Sequence, residues 1–181
     1  MTPSVHNAMR KYLPVLLLTC AVIGCGYRLE RRQDVNYVGG AFTKADAIAI
    51  PLLRNATIQP DLEKIVTEAL ITRLQGSGMN VTGKSSARLI LSGKLTDYNP
   101  RNALSYNKFQ QIQEYRLVIT AQFSLLDVQS GNTVWQSGSL SASAEYLLGQ
   151  DAIATLDAER SAQRVAADRL AQSILGQWEA F

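Results

Sequence analysis

The chain has 181 residues, a formal net charge of +3 and an ordinary globular composition, which favours a single domain large enough to bury an apolar core. The charge is small for this length, and no run of lysines and arginines is longer than the pair Arg31–Arg32. The composition therefore does not support a nucleic-acid-binding surface.

The amino terminus has the pattern of a bacterial secretory signal. Arg10 and Lys11 precede an apolar run from Leu13 to Ile23. At about eleven residues this run is too short to cross a bilayer, since a spanning helix needs roughly 20 residues, but it suits a signal core. The sequence "VIGC" that ends at Cys25 resembles a lipobox, in which the signal is cleaved before a cysteine that then carries lipid. We predict a cleaved signal at residues 1–24 and lipidation of Cys25.

Other interpretations of this segment remain open. Cys20 is a second candidate for lipidation, although the residues before it fit the motif less well and leave a shorter apolar core. The segment also fits an ordinary signal peptide, or an uncleaved anchor with unmodified thiols. Gly26, and not an aspartate, follows Cys25, which is expected of a lipoprotein that is sent on to the outer membrane.

Cleavage before Cys25 restricts the chemistry of the mature protein. His6 and Cys20 leave with the signal, so no imidazole and no free thiol remain. This excludes serine–histidine and cysteine–histidine nucleophiles, zinc sites with His or Cys ligands, and the commonest general base. The acids form no compact cluster in the sequence. We predict that the protein is not an enzyme, binds no metal and carries no cofactor besides the covalent lipid on Cys25.

The remaining chain divides into a tether and one domain. Residues 25–45 are polar and predict a tether, and residues 46–181 predict a single domain. The apolar run "DAIAIPLL" from Asp46 to Leu53 predicts the first strand. Pro51 favours an edge position for this strand because proline lacks an N–H. The segment "RNATIQP" that follows predicts a loop.

Two segments predict helices. The first begins near Pro60 and ends at Gly76. Its apolar stripe at helical spacing consists of Leu62, Ile65, Val66, Ala69, Leu70 and Leu74. The last helix is predicted from Asp151 to about Gly176, with Trp178 and Phe181 folding back as a final contact. Its stripe consists of Ala158, Ala162, Val165, Ala166, Leu170 and Ile174.

Three alternating segments between the helices predict three strands, at Arg88–Tyr98, Glu114–Asp127 and about Thr133–Tyr146. The polar segment Asn99–Gln113 is long for a hairpin turn, so it predicts a functional or mobile loop. In the last strand, one face is predicted to consist of Val134, Leu140, Ala142, Ala144 and Tyr146, and the opposite face of serines and Glu145.

The order of these elements predicts the fold class. Each strand has one apolar and one polar face, and the order along the chain is β-α-β-β-β-α. The pattern predicts an α+β fold: a two-layer sandwich in which two helices pack on one face of a roughly four-stranded, mostly antiparallel sheet.

The polar face of the sheet and the long loop supply the candidate binding residues. The face is rich in Ser, Thr and Gln and has few charges, which suits a wet contact with another polar surface; the alternative is an ordinary water-facing sheet. Three cations near the loop, Arg101, Lys108 and Arg116, are candidate ligands for phosphate groups. The alternative is that each is a solvated surface residue.

The chain as a whole resembles a known family. The pentapeptide "CGYRL" at Cys25–Leu29 is followed by "IAIPLLRNATIQPDLEKIVTEALITRL", "LSGKLTDY" and "EYRLVITAQFSLLD", and a long alanine-rich helix ends the chain. The order and spacing of these motifs behind the cysteine resemble the LPS-assembly lipoproteins of LptE type, which are partners of the outer-membrane barrel LptD.

The resemblance implies a function. Such proteins lie as a plug inside the partner barrel, help it to fold, bind lipopolysaccharide (LPS) and aid its delivery to the cell surface. One basic residue of the family that contacts lipid corresponds to Lys108. A second family position falls at or near the apolar Leu156, and Arg160 is the nearest cation there. The implied partners are an LptD-like β-barrel and LPS, at the outer membrane, with no nucleic acid.

A second function remains open. Lipoproteins that activate a peptidoglycan synthase across the periplasm share a similar small α+β layout. They usually need a longer disordered tether, and the roughly 20 residues available here are short for that reach.

Overall fold

A computed structural model of the protein describes residues 42–179. The predicted signal, the lipidation site Cys25, most of the tether and Phe181 therefore lie outside the described residues. The elements are β1 (Ile48–Ala49), β2 (Arg54–Asn55), α1 (Leu62–Gly76), a short 3-10 turn (Lys84–Ser86), β3 (Leu89–Tyr106), β4 (Ile112–Asp127), β5 (Thr133–Leu147) and α2 (Ala152–Glu179). Within the described part of the chain, no helix is both long enough and apolar enough to cross a membrane.

The described strands form one mixed sheet. Its order is β1-β3-β4-β5, and β2 pairs with β3 further along the same edge. β1 and β2 run parallel to β3, whereas the long β3–β4 and β4–β5 pairings are antiparallel. The helices pack together and cover the apolar face of the sheet. The predicted α+β fold, with two helices on a mostly antiparallel sheet, is confirmed.

The first strand differs from the prediction. The run from Asp46 to Leu53 is not one strand: β1 covers only Ile48–Ala49, and β2 forms at Arg54–Asn55, where a loop was expected. Pro51 lies between the two pieces and has no N–H to donate to a ladder. The edge strand is therefore interrupted at the proline and resumes beyond it.

The predicted long loop is wrong. β3 does not end at Tyr98 but continues to Tyr106, so most of Asn99–Gln113 is strand. Asn99 pairs with Val118, and the next paired residue, Asn102, pairs with Arg116, which leaves one extra residue on β3. Pro100 lies in this β-bulge, where its missing N–H is tolerated.

The core consists of the inward residues of the sheet and one stripe from each helix. On β4 the buried residues alternate as predicted: Leu117, Ile119, Ala121, Phe123 and Leu125. The buried stripe of α1 is Leu62, Val66, Thr67, Leu70 and Leu74, and that of α2 is Ala162, Gln163, Ala166, Ala167, Leu170, Ala171, Ile174 and Trp178. Val165 was predicted in this stripe but is exposed. The buried stripe contains Gln163 and Ala167, and a residue two positions from each of them lies on the opposite side of the helix.

The inward face of β5 changes parity at a bulge. Ser124 pairs with Gln136, but Gln122 pairs with Ser139, so β5 carries one extra residue near Gly138, whose φ is 65°. Before the bulge the inward position opposite Leu125 is held by Trp135, which is buried. Val134, which was predicted on the inward face, lies at a second register shift and packs against the core only partly buried. After the bulge the even-numbered residues face inward, as predicted.

The end of the core furthest from the β3–β4 turn is aromatic. The ring of Trp178 lies edge-on to the rings of Phe42 and Trp135, with centroids 5.3 and 5.4 Å apart. Trp178 makes the predicted packing contact, but the chain does not fold back at this point, because α2 continues past Gly176 to Glu179 and carries Trp178 on its buried stripe.

Arg88 connects the segment before β1 to β3 and to the β4–β5 turn. Its Nη1 lies 2.7 Å from Asp46 Oδ1, and its Nη2 lies 3.1 Å from Asp127 Oδ2. Burial opposes ionisation of Asp46, but hydrogen bonds from Thr43 and Arg88 outweigh it and lower the pKa of its carboxyl. Backbone N–H groups of the turn, that of Ser130 first, and Arg88 lower the pKa of Asp127.

The close approach at Gly93 gives a stability test. A Cβ at Gly93 would lie 2.5 Å from Phe123 Cδ1 and 2.9 Å from Leu53 Cδ2. We expect Gly93→Ala to lower the free energy of unfolding by about 1–3 kcal/mol through overpacking. Gly76→Ala is the matched control, because a Cβ there meets nothing within 4 Å. Equal midpoints for both variants in urea unfolding would contradict the assigned packing.

Candidate functional site

The outer half of the β3–β4 hairpin extends past the buried core. β3 is largely exposed from Asn99 to Tyr106, in contrast to its first half. The end of β5 and the start of α2 lie beside it: Leu148 N donates to Gln113 O at 3.0 Å, and Gly149 N donates to Thr155 Oγ1 at 3.0 Å. We call residues 99–113, 147–149 and 152–156 together the hairpin end.

The turn of the hairpin is built by Asn107. Its backbone N donates to Gln111 O at 2.8 Å, and its Oδ1 accepts from the N–H groups of Phe109 and Gln111 at 2.8 and 3.0 Å. Gln110 completes the turn in the left-handed region, with φ at 62°. Asparagine suits this role because its side chain can accept hydrogen bonds from backbone two residues on. The turn presents Lys108 and Phe109 at its tip.

The hairpin end concentrates exposed apolar side chains. Of the eleven large apolar side chains that are exposed in the described part of the chain, seven belong to it. They are Leu104, Tyr106, Phe109, Leu147, Leu148, Ile153 and Leu156. Scattered exposed apolar residues are ordinary, but a concentration at one end indicates a binding surface.

Lys108 is the cation at the tip. Its Nζ lies 5.0 Å from the centroid of the Phe109 ring, a cation–π contact. It makes no ion pair with a described residue. Phe109 itself is 70% exposed. The tip therefore presents an ammonium group and an aromatic ring side by side.

The other two candidate cations are not brought to the tip. Arg116 lies on the outer face, where its Nη2 is 2.8 Å from Glu145 Oε1. It is four residues from the start of β4, about 13 Å along the strand. Arg101 lies near the hydroxyl of Tyr146; burial raises the pKa of Tyr146, and the charge of Arg101 opposes this shift. The three cations are thus spread over the hairpin end, and a shared phosphate site for all three is not formed.

A buried polar contact fixes the hairpin base to α2. Gln163 Nε2 donates to the Tyr98 hydroxyl at 2.7 Å, and that hydroxyl donates to Glu159 Oε1 at 2.9 Å. Burial raises the pKa of Tyr98, so the phenol remains protonated and able to donate. Beside it, the Tyr146 hydroxyl donates to Pro100 O at 3.0 Å. These bonds orient the hairpin end relative to the core.

The face of the sheet opposite the helices is polar, as the alternation predicts. Short hydroxyls dominate it; Thr120 and Ser141, for example, lie 2.9 Å apart through their oxygens. This face has few charges, and two of them, on Arg116 and Glu145, neutralise each other in an ion pair. We call this surface the outer face.

Several residues of the hairpin end were not found from the sequence. Phe109 in the polar turn "NKFQQ" and the pair Leu147–Leu148 after the last strand were visible signals, because large apolar residues are unusual in such positions. Ile153 was not identifiable in this way, because it falls in the predicted helix. Leu156 was noted only as an apolar departure from the family, and Arg160 pairs with Asp157 at 3.6 Å.

The comparison with protein families decides the relationship. The lipopolysaccharide-assembly family LptE matches residues 45–178, which includes nearly all of the described chain. The chain belongs to the LptE family. LptE-family membership agrees with the resemblance of the motifs in the sequence.

Solved structures share the fold. A protein described as a lipoprotein from Caulobacter crescentus is 18% identical, with a TM-score of 0.53, over 71% of this chain and 88% of that one. A dodecamer of PelC from Paraburkholderia phytofirmans is 20% identical, with a TM-score of 0.52, over 76% of this chain and 91% of that one. At these identities the likeness is one of fold alone. Among curated protein sequences, none matches the chain significantly.

The bond between Tyr98 and Gln163 predicts a stability effect. Tyr98→Phe leaves the buried amide of Gln163 without its partner, so we expect a loss of about 1–3 kcal/mol in the free energy of unfolding. Tyr106→Phe is the control, since Tyr106 is 54% exposed. The double variant Tyr98→Phe/Gln163→Met should recover most of the loss, because both partners are then apolar. Equal urea midpoints for Tyr98→Phe and Tyr106→Phe would contradict this role.

Proposed function

We propose that this LptE-family chain is an outer-membrane lipoprotein that plugs and helps to assemble an LPS-exporting β-barrel, and that it binds LPS for delivery to the outer leaflet. Family membership supports the place in LPS assembly. The observation that carries the LPS-binding part is the tip of the hairpin end, where Lys108 lies over the ring of Phe109 in the part of the domain that concentrates exposed apolar side chains.

The tip matches the chemistry of LPS, which joins phosphate groups to acyl chains. An ammonium group binds phosphate as a point charge. The ring of Phe109 and exposed leucines such as Leu147 offer apolar surface for hydrocarbon. A loop that only faces water has no use for exposed apolar side chains beside a cation. The presence of both the ammonium group and the apolar surface therefore favours an amphiphilic anion as ligand.

Arg101 and Arg116 have secondary roles in this proposal. Arg101 would extend the cationic surface on the side of Tyr146. Arg116 would contact phosphate only if its ion pair with Glu145 opened, and an exposed pair of this kind is worth about 0–1 kcal/mol. Lys108 is therefore the principal cation.

The outer face supports residence in a barrel. The lumen of an outer-membrane barrel is polar and wet, and a surface dominated by hydroxyls and amides, with few charges, is compatible with it. The proposal includes lipid attachment through Cys25 and no enzymatic activity. No contact among the described residues favours the alternative role as activator of a peptidoglycan synthase.

Lys108→Glu tests the LPS contact. Reversal of the charge at the tip should weaken LPS binding by about tenfold or more, since a charge-assisted contact becomes a repulsion. Binding is measured with the purified full chain in complex with its barrel, and the barrel complex should remain intact. Lys84→Glu, in the 3-10 turn, is the matched control. Unchanged binding in Lys108→Glu would show that Lys108 is a solvated turn residue.

Affinity purification from native membranes tests the barrel partner. The full-length chain, extracted in mild detergent, should bring down one large outer-membrane β-barrel in stoichiometric amount, and depletion of the chain should leave that barrel misfolded. Recovery of the chain with no barrel would contradict the proposal. The Lys108→Glu variant should recover the barrel like the wild type, which separates this test from LPS binding.

A further inference from the structure

An open basin lies in the outer face, away from the hairpin tip. It has a volume of about 590 Å³, and we call it the outer basin. Its polar lining consists of Arg54, Ser92, Lys94, Gln122, Ser124 and Gln136, and Gly93, Phe123 and Gly138 complete it. The LPS contact proposed at the hairpin tip does not use this basin.

The strand register explains the shape of the basin. Ser92 pairs with Ser124, and Ser124 pairs with Gln136, so this row across β3, β4 and β5 has short side chains on β3 and β4. In the next row Arg54 pairs with Lys94, and Lys94 pairs with Gln122. Paired residues share a face, so the serines form a floor between longer polar side chains. The bulge at Gly138, which has no side chain, leaves the β5 side open.

The charges of the basin are unusual for this domain. Arg54 and Lys94 lie opposite each other on adjacent strands, and neither makes an ion pair with a described residue. Four of the eight arginines of the described region make ion pairs; Arg73, for example, pairs with Asp168. Asp97, which pairs with Thr120 beyond this row, bonds to neither cation. Like charges placed opposite each other oppose folding, so the pair is costly unless an anion joins it.

We propose that the outer basin is a binding site for a phosphate group carried by a hydroxyl-rich molecule, such as a phosphorylated sugar. The guanidinium of Arg54 and the ammonium of Lys94 bind the phosphate with charge-assisted hydrogen bonds. The amides of Gln122 and Gln136 and the floor serines donate to and accept from hydroxyl groups. The basin has no acid in its lining, which suits an anion.

The inference goes beyond the proposed function, because the basin and the hairpin tip share no residue; the basin lies in the outer face, which that proposal uses only for its polarity. A free phosphorylated sugar and the phosphorylated headgroup of a lipid have the same chemistry here. The residues of the basin therefore indicate which chemical group binds, and the experiment distinguishes a free sugar phosphate from a lipid headgroup.

Isothermal titration of the full chain in neutral detergent tests the site. The probes are pyrophosphate, glucose 1-phosphate, glucose, and phosphatidylinositol 4-phosphate in mixed micelles. We expect glucose 1-phosphate to bind and glucose not to bind. Arg54→Gln and Lys94→Gln should each weaken binding about tenfold, while the matched control Lys84→Gln should leave glucose 1-phosphate binding unchanged. Tighter binding of the micellar lipid than of the free sugar phosphate would assign the source to a lipid headgroup.

Thermal unfolding provides a second readout. Without ligand, Arg54→Gln and Lys94→Gln should unfold at or above the wild-type midpoint, because each removes a like-charge repulsion. The wild type alone should gain stability from glucose 1-phosphate. Absence of binding by every phosphate probe, or equal binding by wild type and both variants, would overturn the proposal.

Discussion

The alternation of side chains along β4 is the constraint on which the rest of the structure depends. β4 is hydrogen-bonded to β3 on one side and to β5 on the other, so its register determines which face each residue of the three strands occupies. The odd-numbered residues from Leu117 to Leu125 are all buried under the helices. A slip of one residue would exchange the two faces and expose that row. The apolar core and the polar outer face are therefore two consequences of one pattern.

Departures from the regular ladder separate the core from the hairpin end. The pairs from Leu89 to Leu95 with β4 are continuous, but the register shifts four times between Leu95 and Tyr106. Each bulge leaves an unpaired residue and increases the local twist, and bulges are frequent next to functional sites. The irregular half of the hairpin also contributes few buried side chains, so it can open locally at lower cost than the core. The bond of Tyr98 to Gln163 lies at the boundary, where it limits that freedom to the outer half.

The sequence predicted the parts of the fold that one strong periodicity controls. The apolar rows of β4 and α1, the polar outer face and the α+β class follow from alternation and helical spacing that neighbouring residues do not contradict. The errors lie where a local signal competed with tertiary pairing. Asn99 and Pro100 read as a turn, yet the strand passes through them because a bulge accommodates the proline. Val134 fitted the alternation of β5, but the extra residue at Gly138 reversed the parity before it.

The candidate site was predictable only in part for the same reason. Lys108 was a candidate from its charge near the loop and from a family position, and the structure places it at the exposed tip of the turn. Whether Arg101 and Arg116 lie close to Lys108 could not be predicted from the sequence, because closeness along the chain does not fix the face on which a strand residue lies. In the structure they do not lie at the tip. The opposition of Arg54 and Lys94 could not be read from the sequence at all, since it depends on a parallel register across 40 residues of chain.

The hairpin tip and the outer basin both contain cations without ion pairs, but they differ in the uncharged residues beside those cations. Cations such as Arg88 and Arg73 are joined to acids of the same domain and hold elements together. Lys108 has the ring of Phe109 beside it and belongs to the hairpin end with its exposed apolar side chains, whereas Arg54 and Lys94 have serines and glutamines beside them. The basin offers two cations and the tip one, but at both exposed places the Coulomb attraction of each cation for a phosphate is weak in water. Selectivity must then come from the remainder of the ligand, which is hydrocarbon at the tip and hydroxyl groups in the outer basin.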